Sequence, residues 1–118
     1  MTTWTQDYPA LPGSAQAAAR LAQALATARS PQRASVVYRL VENLFGCALA
    51  RSSPRGNLNL IIVVERGRIH FEVHYPNDHR AAADAPAAFQ TVSALADAYG
   101  ETQTKRGRMI YAELWMVP

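Results

Sequence analysis

The sequence predicts an α+β fold, a two-layer sandwich in which about three helices pack on one face of a mixed or antiparallel sheet. Three observations predict it. Helical and strand patterns follow one another in runs instead of alternating as βα units, which favours antiparallel pairing. Two hairpins are indicated by strand patterns on either side of the turns "RG" and "RGR". The 118 residues, 49% of them apolar, suffice for one core and predict a single domain over 1–118.

The first half of the chain predicts an edge strand followed by two helices. The segment Thr3 to Ala10 alternates weakly and indicates the short strand. Ser14 is placed to cap a first helix over about 15–29. Ser30 before Pro31 is a second start signal, and the second helix extends to about residue 50. Its buried stripe is predicted to be Val37, Leu40, Val41, Leu44, Phe45 and Ala48.

The second half predicts a hairpin, a third helix and a second hairpin. Leu58 to Glu65 is a β-branched run, and Arg68 to Tyr75 alternates strictly between apolar and polar residues. The third helix is expected to end at Gly100 as its C-cap and to turn Phe89, Val92, Leu95 and Ala96 inward. The last strand places Ile110, Ala112, Leu114 and Met116 on one face and Tyr111, Glu113 and Trp115 on the other.

Composition and charge exclude several classes of function. The net charge is +3, and the basic residues cluster only in two short turns, whereas nucleic-acid binding usually needs a basic patch or stripe. No stretch approaches the roughly 20 apolar residues of a membrane span, and the N-terminus does not read as a signal peptide. We therefore expect a cytoplasmic protein without a nucleic-acid or membrane partner. Cys47 falls in an apolar helical stripe, which predicts a buried and inert thiol.

Four segments, in this order, resemble the histidine-kinase-like (GHKL) ATPase fold, and within it the anti-sigma-factor serine kinases common in actinobacteria. The segments are "YPALPGSAQAAARLAQAL", "VVYRLVENLFGCALARS", "GRIHFEVHYPND" and "VSALADAYGETQTKRGRMIYAEL". They are similar to the opening strand and first helix, the N-box helix, the strand ending in the adenine-binding motif, and the final helix and hairpin. Together they are distributed over nearly the whole length of the chain, from residue 8 to residue 114, so the resemblance implies one ATPase-type domain over 1–118.

The resemblance also shows where this chain departs from the family's nucleotide chemistry. Asn43 stands where the family's N-box asparagine helps to hold Mg²⁺ and phosphates, but Arg39 replaces the N-box glutamate and cannot act as a base. Tyr75 replaces the aspartate that accepts the adenine amino group, with Asn77 or Asp78 as substitutes further on. The lid region "ADAPAAFQ" lacks the glycines that let backbone amides approach phosphates.

These departures imply a regulatory protein-binding domain that has kept the fold and lost the kinase activity. Its partner would be a sigma factor, an anti-anti-sigma protein or another signalling protein. The docking surface would be the first helix, the loop from Pro76 to Pro86, or the former nucleotide cleft. No cofactor is expected. The alternatives are an ATP- and Mg²⁺-binding serine kinase with an atypical site, and a structural dimerisation module.

A second cluster lies on the outer face of the predicted sheet. His70, Glu72 and His74 share one side of a strand, where two imidazoles could share a zinc ion, although such residues also form the ordinary polar face of a half-covered sheet. Tyr111 and Trp115 belong to the same face and predict a homodimer interface, since aromatic residues concentrate at interfaces. Such a dimer would weaken as the pH falls below about 6.5.

Overall fold

The computed structural model describes residues 1–78 and 86–116, which form five strands, three α-helices and one 3₁₀ turn. The strands and helices follow one another in the order β1, α1, 3₁₀ turn, α2, β2, β3, α3, β4, β5. Their bounds are β1 Thr2–Pro9, α1 Pro12–Arg29, the 3₁₀ turn Pro31–Arg33, α2 Ala34–Leu49, β2 Asn57–Glu65, β3 Arg68–Tyr75, α3 Pro86–Leu95, β4 Ala98–Thr104 and β5 Gly107–Trp115.

All neighbouring strands pair antiparallel, in the order β1-β2-β3-β5-β4. The three helices cover one face of this sheet, which confirms the predicted two-layer α+β arrangement. The other face, which we call the open face, is covered by no element of the described part of the chain. Residues opposite each other on paired strands lie on the same face, so the register assigns each side chain to one layer.

The core lies between the helices and the covered face of the sheet. The predicted stripe of α2 is fully buried, and α1 contributes small alanines that let the two helices approach closely. From the sheet, the strictly alternating strands supply every second residue, for example Phe71 and Val73 of β3, both at most 1% exposed. The predicted strand alternation and helix stripe are therefore confirmed.

Three details differ from the sequence-based expectations. Ser14 does not cap α1, which begins at Pro12; its hydroxyl donates to the carbonyl of Pro9 at 2.7 Å instead. Gly100 is not a helix C-cap, because α3 ends at Leu95 and Gly100 lies within β4. Phe89 does not point into the core: it is 38% exposed and its ring meets Tyr99 edge-on, with centroids 5.6 Å apart.

Candidate functional site

Arg39 and Asn43 lie one turn apart on the same side of α2. The Asn43 amide donates to the carbonyl of Arg39 at 2.7 Å, so that donor is used within the helix itself. Gly46 continues this side, and a Cβ built on it would lie 3.6 Å from the Ala88 Cβ on α3. The side of α2 that carries Asn43 therefore faces toward α3 rather than toward α1.

Tyr75 ends β3 on the covered face of the sheet and is buried, with 4% of its surface exposed. Its hydroxyl donates to Glu101 Oε2 of β4 at 3.0 Å. The other oxygen of this carboxylate accepts from Arg108 of β5 at 2.7 Å and from Arg51 at 3.3 Å. We call these four residues, Tyr75, Glu101, Arg108 and Arg51, the tyrosine network. It joins β3, β4 and β5 to the segment that follows α2.

Burial and the neighbouring Glu101 carboxylate raise the pKa of Tyr75 above its ordinary value. Burial, followed by the same carboxylate, raises the pKa of the Cys47 thiol to about 11. Cys47 therefore carries its proton at neutral pH and is a poor nucleophile, since the thiolate is the reactive form. The tyrosine network thus contains the neutral phenol of Tyr75, hydrogen-bonded to the Glu101 carboxylate. The protonated thiol of Cys47 lies close enough for its pKa to be raised by the same carboxylate.

Asn77 and Asp78 follow the end of β3 at the surface. Asn77 has a positive φ of 55°, which asparagine tolerates better than most residues. The Asp78 carboxylate accepts a hydrogen bond from the backbone N–H of Ser53 at 2.7 Å, which ties the end of β3 to the loop after α2. Of the predicted lid, residues 83–90, only residues 83–85 lie outside the described residues, and the remainder forms the first part of α3, which begins at Pro86.

The open face brings together the second predicted cluster. His70 Nε2 and His74 Nε2 each lie 2.8 Å from a different oxygen of Glu72, so both imidazoles donate to one carboxylate. Burial alone would raise the pKa of Glu72, but the hydrogen bonds from His74 and His70 outweigh it and lower that pKa. The His70 ring also stacks on Tyr111 of β5, with centroids 5.6 Å apart and planes 25° from parallel.

Glu113 lies beside this cluster and forms an ion pair with Arg68, in which Nη1 and Oε1 are 3.2 Å apart, while His70 Nδ1 lies 3.8 Å from the same oxygen. Within residues 1–78 and 86–116, no three His, Cys, Asp or Glu side chains are arranged to hold a metal ion. Trp115 ends β5 on the same face and is 52% exposed. All five residues predicted for the interface therefore share one face: His70, Glu72, His74, Tyr111 and Trp115.

Sequence reasoning placed Tyr75 but missed the three charged residues of its network. The available signal was the register across the "RGR" turn, which sets Glu101 and Arg108 on the same face of the last hairpin as Ile110. Because Gly100 was predicted to be the C-cap of the third helix, the predicted strand began only after it. The inward direction of Glu101 was therefore not recognised. A strand beginning at Ala98 would have indicated it by simple alternation.

Comparison with known proteins returned no matching protein-family model and no matching curated protein. None of the helices in the described part of the chain is both long and apolar enough to span a membrane.

Proposed function

We propose that this chain is a regulatory protein-binding domain without kinase activity, a relative of the anti-sigma-factor serine kinases that it resembles. One observation carries the proposal. Where the resembled family binds adenine at the end of the equivalent strand, this chain has Tyr75, which is buried and hydrogen-bonded to Glu101. A phenol held by a charged network leaves less room for a base and offers it no carboxylate. This favours a lost nucleotide site over an atypical kinase site.

Three further contacts support the same function. The Asn43 amide is bonded to its own helix, Arg39 is a fixed cation in place of a base, and the Asp78 carboxylate is bonded to a loop backbone. Phosphoryl transfer requires groups that position Mg²⁺ and stabilise the transferred phosphoryl group. Asn43 has another partner and Arg39 has the wrong charge for that task, and Asp78, a substitute for the adenine-binding aspartate, also has another partner. The protein would act in the cytoplasm by docking, with no cofactor.

The nucleotide prediction is tested by isothermal titration of the purified protein with ATP and Mg²⁺, with a thermal-shift scan as the check. We expect no saturable heat and no rise in Tm, because the residues above do not form a site. A dissociation constant near or below about 100 μM with a matching rise in Tm would contradict the proposal and favour the kinase alternative. In that case Asn43→Ala should abolish the binding, whereas Gln16→Ala on the exposed side of α1 should not.

Protein docking needs its own test, and the exposed Arg39 offers a probe of the former cleft. The partner would be a sigma factor, an anti-anti-sigma protein or another signalling protein. A candidate captured from the source cells would be purified and its affinity measured against the wild type, Arg39→Ala and Arg20→Ala. Weakening by Arg39→Ala alone supports docking at the cleft. Equal binding to all three would assign the partner to another surface.

A second candidate function, a dimerisation module, is favoured by the open face. Five strands about 4.8 Å apart and about eight residues long present roughly 600 Å², close to the roughly 800 Å² per partner of a standard interface. The face carries half-buried apolar side chains between the charged ones, including Ile61, Val63 and Tyr111. A second copy of the chain would cover these residues.

Sedimentation tests the dimer. We expect Ile61→Glu, which places a charge at the centre of the open face, to give monomers, while Gln16→Glu on α1 leaves the dimer intact. A monomeric wild type would refute the dimer.

A further inference from the structure

At one end of the open face, four segments surround a hollow of 610 Å³. Its wall is formed where β1 ends, β2 begins and β3 ends, and by the turn between β4 and β5. Small-molecule sites usually occupy about 300–1,000 Å³, so the hollow has the size of a metabolite site. The polar side chains that line it include Asp7, Asn57, Asn59, His74, Lys105 and Arg106.

The wall at the β4–β5 turn is fixed in place by Gly107. This residue has a φ of 154°, and a Cβ built on it would lie 2.2 Å from the carbonyl oxygen of Tyr75. The turn therefore lies directly against the backbone at the end of β3. Lys105 and Arg106 precede Gly107 and are held at the rim of the hollow by this close approach.

Positively charged side chains outnumber negatively charged ones in the lining of the hollow. Neither Lys105 nor Arg106 takes part in an ion pair with another described residue. The one carboxylate of the lining, Asp7, accepts from the Asn59 amide at 2.7 Å but keeps its negative charge. His74 donates to Glu72, as described above. The two cations therefore outnumber the carboxylate, and the side-chain amide of Asn57 belongs to the same lining.

We propose that this hollow binds a small, multiply charged anion of metabolite size, carrying carboxylate or phosphate groups. Lys105 and Arg106 would hold the anionic groups, because hydrogen bonds between ionised partners are the stronger ones. The side-chain amide of Asn57 would orient the remainder of the molecule. Tyr75 and Pro76 at the end of β3 also line the hollow, but Lys105, Arg106 and Asn57 are not residues of the former nucleotide cleft, so this proposal is tested independently of the proposed function.

The test is a titration of the isotope-labelled full chain with pyrophosphate and, separately, with citrate, at low ionic strength and followed by amide NMR shifts. We expect saturable shifts at residues 57, 59 and 104–107, with a dissociation constant of about 1 mM or tighter for at least one anion. Pyrophosphate preference would indicate a phosphorylated ligand, and citrate preference a polycarboxylate. The double variant Lys105→Ala/Arg106→Ala should weaken binding by about tenfold or more.

The matched control removes the same charge elsewhere. Arg20 on α1 and Arg66 in the β2–β3 turn are both exposed and lie away from the hollow lining. Arg20→Ala/Arg66→Ala should leave the affinity within about twofold, apart from the general effect of net charge. Equal weakening by both double variants would overturn the proposal and indicate non-specific charge attraction. Absence of saturable shifts with either anion, in a wild type shown to be folded by its spectrum, would overturn it as well.

Discussion

Replacing Gly107 with alanine is expected to lower the free energy of unfolding by about 3 kcal/mol. The new Cβ would lie 2.2 Å from the Tyr75 carbonyl oxygen and 2.7 Å from the Pro76 carbonyl carbon. Both are backbone atoms, so no side chain can rotate away and the β4–β5 turn or the end of β3 must move. The φ of 154° adds strain of its own, because L-residues rarely adopt it.

Two other glycines separate these contributions. Gly67 in the β2–β3 turn has a φ of 87°, but no heavy atom lies within 4 Å of a Cβ built on it. Gly67→Ala should therefore cost only the conformational term, about 1 kcal/mol. Gly13 in α1 has neither a positive φ nor a close neighbour, and Gly13→Ala should stabilise the fold by about 0.5 kcal/mol.

Urea unfolding of the three variants checks the expected order, with Gly107→Ala the least stable and Gly13→Ala the most. In a domain of this size, each kcal/mol shifts Tm by about 4 °C, so the three should also separate in a thermal scan. If Gly107→Ala and Gly67→Ala lost equal stability, the β4–β5 turn could not lie as close to the end of β3 as it does in the structure. That outcome would also remove the fixed wall of the anion hollow.

The elements that the sequence predicted well are those in which burial repeats with a regular period. In β3 each residue from Arg68 to Tyr75 alternates between core and open face, and in α2 the apolar residues recur at helical spacing. In both elements the hydrophobic pattern alone decides which face is buried, because one side packs on a continuous core. The candidate residues of β3 on the open face, such as His70, were therefore assigned to the correct face.

Prediction failed where a residue's role depends on a partner from a distant segment. Gly100 resembles a helix cap locally, but in the structure it pairs with Tyr111, and a Cβ on it would lie 2.7 Å from the Tyr111 hydroxyl. The aromatic side chain lies across the glycine within the sheet. Similarly, Glu101 is an ordinary polar strand residue until the register places it beside Tyr75. The hairpin register indicates the direction of Glu101, but its pairing with Tyr75, 26 residues away, arises from tertiary contacts that no local pattern encodes.

Glu101→Gln is the second substitution from which we expect a large loss of stability, because the Glu101 charge holds the tyrosine network together. Glu101→Gln keeps the shape of the side chain but replaces a carboxylate that serves Tyr75, Arg108 and Arg51. The side chains of Glu101 and Arg108 are only 21% and 30% exposed, so the guanidinium would lose its counter-charge in a poorly hydrated place. We expect the free energy of unfolding to fall by about 2 kcal/mol, less than for a fully buried pair.

Glu65→Gln is the matched control, since Glu65 accepts from Arg68 at 2.7 Å but this pair is 31% and 49% exposed. It should leave the free energy of unfolding nearly unchanged, because exposed ion pairs contribute little. Tyr75→Phe, which removes one hydrogen bond from the network, should cost about 1 kcal/mol. Because Tyr75 and Glu101 share that bond, the double variant should lose less than the sum of the two single losses. Strictly additive losses would mean that the hydroxyl and the carboxylate do not interact.

The tyrosine network also makes the stability of the fold depend on pH. Burial and the Glu101 carboxylate raise the pKa of Tyr75 above 10.0, so the folded state holds this proton to a higher pH than the unfolded state. The resulting stabilisation is complete below pH 10.0 and is lost as the pH rises through the folded-state pKa. Tyr75→Phe should therefore lose less stability than the wild type between neutral and strongly alkaline pH. Both proteins keep Cys47, whose pKa is also raised, so the difference between their alkaline stability curves isolates the effect of the Tyr75 phenol. Parallel curves would show that Tyr75 ionises as freely in the folded protein as in the unfolded chain.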